Sequence, residues 1–177
     1  RTTIREALKS LEMLGLVECV QGDGNFIAQN LDHSLTEPLS IMFMLEGGSL
    51  VQVQQLRRAM ELTTVGLAAR KAGPVQLGEL EEICRQLEEP LPETSRVELD
   101  LQFHYGIAQT AGNPLILATL HAVETLIDTQ IRGVREEMLK APYNLGQINR
   151  QHRAILEALG NGEERAAAEA MEVHMDF

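Results

Sequence analysis

Apolar residues at Ile4, Leu8, Leu11 and Leu14 fall on one helical stripe, so residues 2–14 are predicted to form a helix that stops at Gly15. The period then shortens. Two brief apolar runs, Leu16-Val17-Glu18-Cys19-Val20 and Asn25-Phe26-Ile27-Ala28, flank Gln21-Gly22-Asp23-Gly24. Glycines beside Asp supply the positive φ angles of a tight turn, so this stretch predicts a β-hairpin. From residue 31 onward the pattern predicts about seven helices and no further strand. Their expected spans are 34–45, 49–72, 75–89, 95–111, 114–140, 144–160 and 163–177.

The breaks between them have local causes. Gly47-Gly48, Gly73-Pro74 and Pro90-Leu91-Pro92 interrupt the helical period. Ser95 and Glu98 have the spacing of a capping box, which predicts a helix start at Ser95. Gly112-Asn113-Pro114 ends one helix, caps the next and places Pro at its first position. Gly160-Asn161-Gly162 is expected to do similar work before the last helix. The expected fold is mainly all-α: a six- to seven-helix antiparallel bundle preceded by a helix and a β-hairpin. The expected division is 1–30, then 31–48 as a linker with a first helix, then 49–177 as the main helical domain.

Composition narrows the class. The chain has 177 residues, 44% hydrophobic and 23% charged, which suits a globular protein with a real core. The formal net charge is −11, and the acidity lies in the helical part: residues 1–30 carry three basic and four acidic groups, the remainder 12 and 22. A wholly basic nucleic-acid coat is excluded. No apolar run approaches the ~18 residues of a membrane span, so no membrane partner is expected. No signal-peptide pattern is present, and a chain that opens on Arg1 instead of Met is read as starting inside a longer protein. Two cysteines, Cys19 and Cys84, are too few for a disulfide framework and fit free thiols in a reducing cytoplasm.

Arg1, Thr2, Thr3 and Arg5 stand at the start of the first helix. Arg bonds guanine edges or phosphates, Thr bonds phosphate or touches thymine methyls, and a helix N-terminus favours anions. A helix so equipped and followed by a hairpin fits the latter part of a winged helix-turn-helix. The plainer alternative is a solvated helix start. Arg1-Thr2-Thr3-Ile4-Arg5-Glu6-Ala7-Leu8, Gly15-Leu16-Val17 and Gly22-Asp23-Gly24-Asn25-Phe26-Ile27 together resemble the GntR family of bacterial repressors. The resemblance implies that Arg1, Thr2, Thr3 and Arg5 touch operator DNA and that Gln21 to Gly24, with Gln21 and Gly22 foremost, form the tip of the wing. It also implies that two further helices of the reading head precede Arg1.

The histidines sort by helix face. Asp100 and His104 are four apart and point the same way, on the row of Ile107 and Ala111. His152 shares a stripe with Ile148, Ile155, Leu156 and Leu159, and His174 one with Ala167, Ala170 and Met171. His121 falls with Leu117, Glu124 and Asp128 on a row read as partly solvated, and His33 lies in the linker. Polar groups buried without partners are costly. A shared divalent cation is one solution, and hydrogen-bonded core histidines are another. Imidazoles with one carboxylate suit Zn or Ni first, and an octahedral ion would keep positions open for a small carboxylate.

A second resemblance bears on that choice. Asp100-Leu101-Gln102-Phe103-His104 before Gly112-Asn113-Pro114-Leu115, the Gln151-His152-Arg153-Ala154-Ile155 stretch with His174, and Leu56-Arg57-Arg58-Ala59-Met60-Glu61 before Ala68-Ala69 are similar to the FCD effector domain. Winged helix followed by FCD is the order of the FadR subfamily of GntR regulators, and a leading helix near Leu35–Leu45 suits its seven-helix form. The resemblance implies Asp100, His104, His152 and His174 as metal ligands and Arg57 as a contact for an effector carboxylate. For Arg57 the alternative is a helix-surface pair with Glu61, worth about 0.3–0.5 kcal/mol. Asn149, three residues before His152, is a further candidate for the same cavity. The function expected is a cytoplasmic, homodimeric, metabolite-responsive transcriptional regulator in which a small organic acid beside a metal modulates operator binding, not an enzyme. The alternatives are a metal-dependent enzyme acting on a small carboxylate and a metal-free helical interaction module.

Overall fold

The computed structural model describes residues 2–28, 35–140 and 142–176. Arg1 and His33 lie outside them, and of Thr2 only the backbone is described. Helix α1 spans Thr2–Met13, strands β1 and β2 span Val17–Val20 and Gly24–Ile27, and the helices that follow are α2 Thr36–Leu45, α3 Leu50–Ala69, α4 Pro74–Glu88, α5 Glu93–Ala111, α6 Pro114–Lys140, α7 Pro142–Gly160 and α8 Glu164–Met175. The expected architecture, a helix and hairpin followed by a helical bundle, is the observed one.

The hairpin is antiparallel, with Val17 opposite Ile27 and Val20 opposite Gly24. Gly22 and Gly24 take φ of 89° and 138°, a region that L side chains avoid, which lets the chain reverse over Gln21–Asp23. α1 packs on β1.

Local chemistry explains several helix ends. Ser49 caps α3 through a capping box: its backbone N–H donates to Gln52 Oε1 at 2.8 Å, and its Oγ accepts from the Gln52 backbone N–H. Gly112 closes α5 in the left-handed region, and Asn113 Oδ1 then accepts from the backbone N–H groups of Leu115 and Ile116 at 3.1 and 3.3 Å. The expected capping box at Ser95 does not form. α5 begins at Glu93 after Pro92, which puts Ser95 inside the first turn. Arg96 organises this corner instead, donating to the carbonyls of Leu87, Glu89 and Leu91 and so satisfying acceptors left over at the end of α4.

The main core joins five helices. Val65 and Ala68 of α3, Leu80 and Cys84 of α4, Phe103 and Ile107 of α5, Ile155 and Leu159 of α7, and Met171 of α8 are all buried in it. A smaller cluster sets Val53 of α3 against Val123, Leu126 and Ile127 of α6, with Leu39 and Phe43 of α2 packed on it. α2 therefore lies on α6 as part of the bundle's packing. No helix among the described residues is long and apolar enough to cross a membrane.

Candidate metal centre

Three helices deliver one set of ligand-type groups to one place. α5 carries Asp100 and His104 one turn apart, α7 carries His152, and α8 carries His174. One ligand atom from each lies within 4.8 Å of the others, and Asp100, His104 and His152 are buried. His104 Nε2 and His174 Nε2 stand 3.1 Å apart, and His152 Nε2 is 3.3 Å from Asp100 Oδ1. Metal–nitrogen bonds of ~2.1 Å place adjacent ligand atoms about 3–3.4 Å apart, so these spacings suit a shared ion. The rings also pack together: Phe103 lies 4.5 Å from His152 between centroids, and His104 stacks on His174 at 5.1 Å.

The surroundings favour neutral imidazole on α8. Burial first, and then His104 and His152 alongside, push the His174 imidazole well below its ordinary value. Its Nδ1 lies 3.2 Å from Gln151 Oε1, an acceptor, so that contact requires the proton on Nδ1 and leaves the Nε2 lone pair facing His104. Gln151 Nε2 in turn donates to the Val173 carbonyl at 3.4 Å.

Behind His104 lies a second buried polar layer. His104 Nδ1 is 2.9 Å from Glu61 Oε1 on α3, and Arg57 Nε is 3.5 Å from the same oxygen. Arg57 also pairs with Glu124 of α6. The Arg57, Glu61 and Glu124 side chains are only 9%, 0% and 3% exposed, which removes the water that weakens ordinary surface pairs. Burial raises the Glu61 carboxyl, but His104 and then Arg57 outweigh it and hold the group below the usual carboxylate range.

These contacts correct two expectations. The Arg57–Glu61 pair exists, but it is interior and not a helix-surface pair. Glu124, expected on a partly solvated row, is buried. Asn149 is directed to α4, where its Nδ2 donates to the Leu87 carbonyl at 3.2 Å. His121 sits apart from the cluster, with its ring 5.5 Å from that of Tyr105, beside a groove of about 400 Å³ between α4, α5 and α6. Thr3 and Arg5 are exposed on the first turn of α1, and Gln21 and Gly22 are exposed at the hairpin tip. Cys19 is exposed and Cys84 buried, both as free thiols.

Sequence reasoning missed Glu61, Glu124 and Gln151 as neighbours of the site. Two faint signals were present. Glu61 is one turn beyond Arg57, and Gln151 precedes His152 directly.

Comparison with known proteins places this arrangement. The FCD domain model matches residues 52–177. The HTH-type transcriptional regulator LutR of Bacillus subtilis (strain 168) is 25% identical over 177 residues, covering 99% of this chain and 81% of that protein. The HTH-type transcriptional repressor NanR of Cronobacter sakazakii (strain ATCC BAA-894) is 27% identical over 180 residues, covering 99% and 68%. Among solved structures, the Streptococcus agalactiae GntR shares the fold with a TM-score of 0.70 at 24% identity, covering 99% of this chain and 79% of that one. The chain belongs to the FCD domain family.

Proposed function

We propose that this chain is a metabolite-responsive regulator of the FadR type, with residues 1–30 as part of a DNA-reading head, 31–48 as linker and first helix, and 49–177 as the effector domain. Asp100, His104, His152 and His174 would hold a divalent ion, Zn or Ni. A bound dication supplies positive charge and open coordination positions to a small organic acid. Arg57, buried behind the cluster, would offer a planar pair of donors to the acid's carboxylate. The observation that carries this reading is the approach of His104 Nε2 and His174 Nε2 to 3.1 Å inside a buried cluster. Ring nitrogens so placed need a proton or a metal ion between them, because two bare lone pairs repel.

Arg1, Thr2, Thr3 and Arg5 would contact operator DNA, with Gln21 and Gly22 on the wing. Effector binding changes operator affinity only as far as the acid binds the DNA-competent and incompetent states differently. A cytoplasmic homodimer would present two such heads to a near-palindromic operator. The site is read as a sensor and not a catalytic centre, in line with the family.

The test is elemental analysis of the purified, unchelated protein alongside His152→Ala and His174→Ala. About one divalent metal per chain, lost in both variants, is the expected result. No metal in the parent, even after Zn or Ni is added, refutes the metal site. A thermal-shift screen of small carboxylates then tests the effector class, with stabilisation expected only in the metal-loaded parent.

A further inference from the structure

We propose that Glu61 is a positioning residue for the metal centre: it accepts the Nδ1 proton of His104 and so fixes the tautomer whose Nε2 lone pair faces the other ligands. The inference rests on the metal reading above, and it adds a residue that lies on α3, outside the three helices that carry the ligands.

The geometry has three parts. Glu61 Oε1 is 2.9 Å from His104 Nδ1, an ion-pair distance from which a turn of the carboxyl completes the hydrogen bond, while the opposite ring nitrogen of His104 is the one directed at His174. A neutral imidazole carries one proton, so a proton held at Nδ1 by a carboxylate leaves Nε2 as a bare acceptor. The carboxyl group is completely buried and has Arg57 3.5 Å from the same oxygen, which holds it in place. A buried anion is the strongest available acceptor for an imidazole N–H.

The α8 ligand is served in the same way by a neutral group. Gln151 Oε1 stands 3.2 Å from His174 Nδ1. Two of the three histidines therefore have an outer acceptor behind Nδ1 and converge through Nε2. Partners of this kind raise ligand basicity, and their loss typically costs about 10–100-fold in metal affinity. Glu61 brings the negative charge, so it has the larger effect on His104. It also joins α3 to the ligand-bearing helices through a buried polar contact.

The first measurement needs no variant. Long-range proton–nitrogen NMR of the zinc-loaded protein at neutral pH reads which ring nitrogen of each histidine keeps its proton. His104 is expected with its proton on Nδ1. The second is zinc affinity, measured by competition with a chromophoric chelator, for the parent and Glu61→Gln. The amide keeps the side chain's volume but removes the charge, and zinc affinity is expected to fall about tenfold or more. An Nε2–H tautomer in the parent, or unchanged zinc affinity in Glu61→Gln, overturns the inference. The two readings fail differently. A protein that binds no zinc refutes the metal site and, with it, any role of Glu61 in metal binding. Zinc bound by a protein whose His104 carries its proton on Nε2 refutes only the role of Glu61.

Discussion

Replacing Arg57 with Met keeps much of the side chain's length and removes its charge. The structure then leaves Glu61 and Glu124 as buried carboxylates without their shared guanidinium. Exposure decides the magnitude. A pair on a helix surface contributes about 0–1 kcal/mol, because water screens it. Here the three side chains are at most 9% exposed, and breaking a buried pair by removing one partner costs about 3–5 kcal/mol. For a chain of this size that corresponds to a fall in Tm of roughly 6–20 °C.

The pH dependence has a definite sign. The Glu61 carboxyl is held below its ordinary value, so its pairing stabilises the fold above the unfolded carboxyl pKa of about 4.3, and that stabilisation is lost as pH falls through the folded value. The gap between parent and Arg57→Met should be widest near neutral pH and should narrow on acidification. The assay is urea denaturation of the metal-free proteins at a series of pH values. A gap under about 1 kcal/mol at neutral pH would place Arg57 on the surface. A gap that grows on acidification would refute the assigned charges.

Two further predictions concern the bundle itself. Burial pushes the Cys84 thiol up to about 12, so iodoacetamide at mildly alkaline pH should label exposed Cys19 and spare Cys84 in the folded protein. The stabilisation from burying neutral Cys84 is complete below its unfolded pKa of about 8.5 and is lost as pH rises toward 12; equal labelling of both thiols would contradict the burial. Gly112 has φ of 63°, and an added Cβ would also come within 3.1 Å of Lys71 Nζ. Gly112→Ala should therefore lower the unfolding free energy by about 1–2 kcal/mol in a denaturant titration, and an unchanged midpoint would show that α5 need not end in the left-handed region.

Much of this molecule was readable along the chain, because the physics of its helix ends is local. Gly112-Asn113-Pro114 announces a stop, a cap and a start within three residues, and the structure uses each of them. The four-residue spacing of Asp100 and His104 already puts both on one face, and the apolar stripes around His152 and His174 turn those rings inward. Where a distant residue intervenes, local reading fails. Ser95 and Glu98 have the spacing of a cap, yet α5 starts at Glu93, where Arg96 takes up carbonyls left by α4.

Periodicity turned the apolar stripes and three histidines inward, since a 3.6-residue period needs only neighbours along the chain, but it left Arg57, Glu61 and Glu124 on outward faces. Which inward residues meet was decided by the tertiary structure. The contact of Glu61 with His104, the burial of Glu124 against Arg57 and the Gln151–His174 contact each cross between helices. Such contacts depend on how far each helix rotates and slides as its apolar face packs, a balance struck over the whole core and carried by no single stretch of chain.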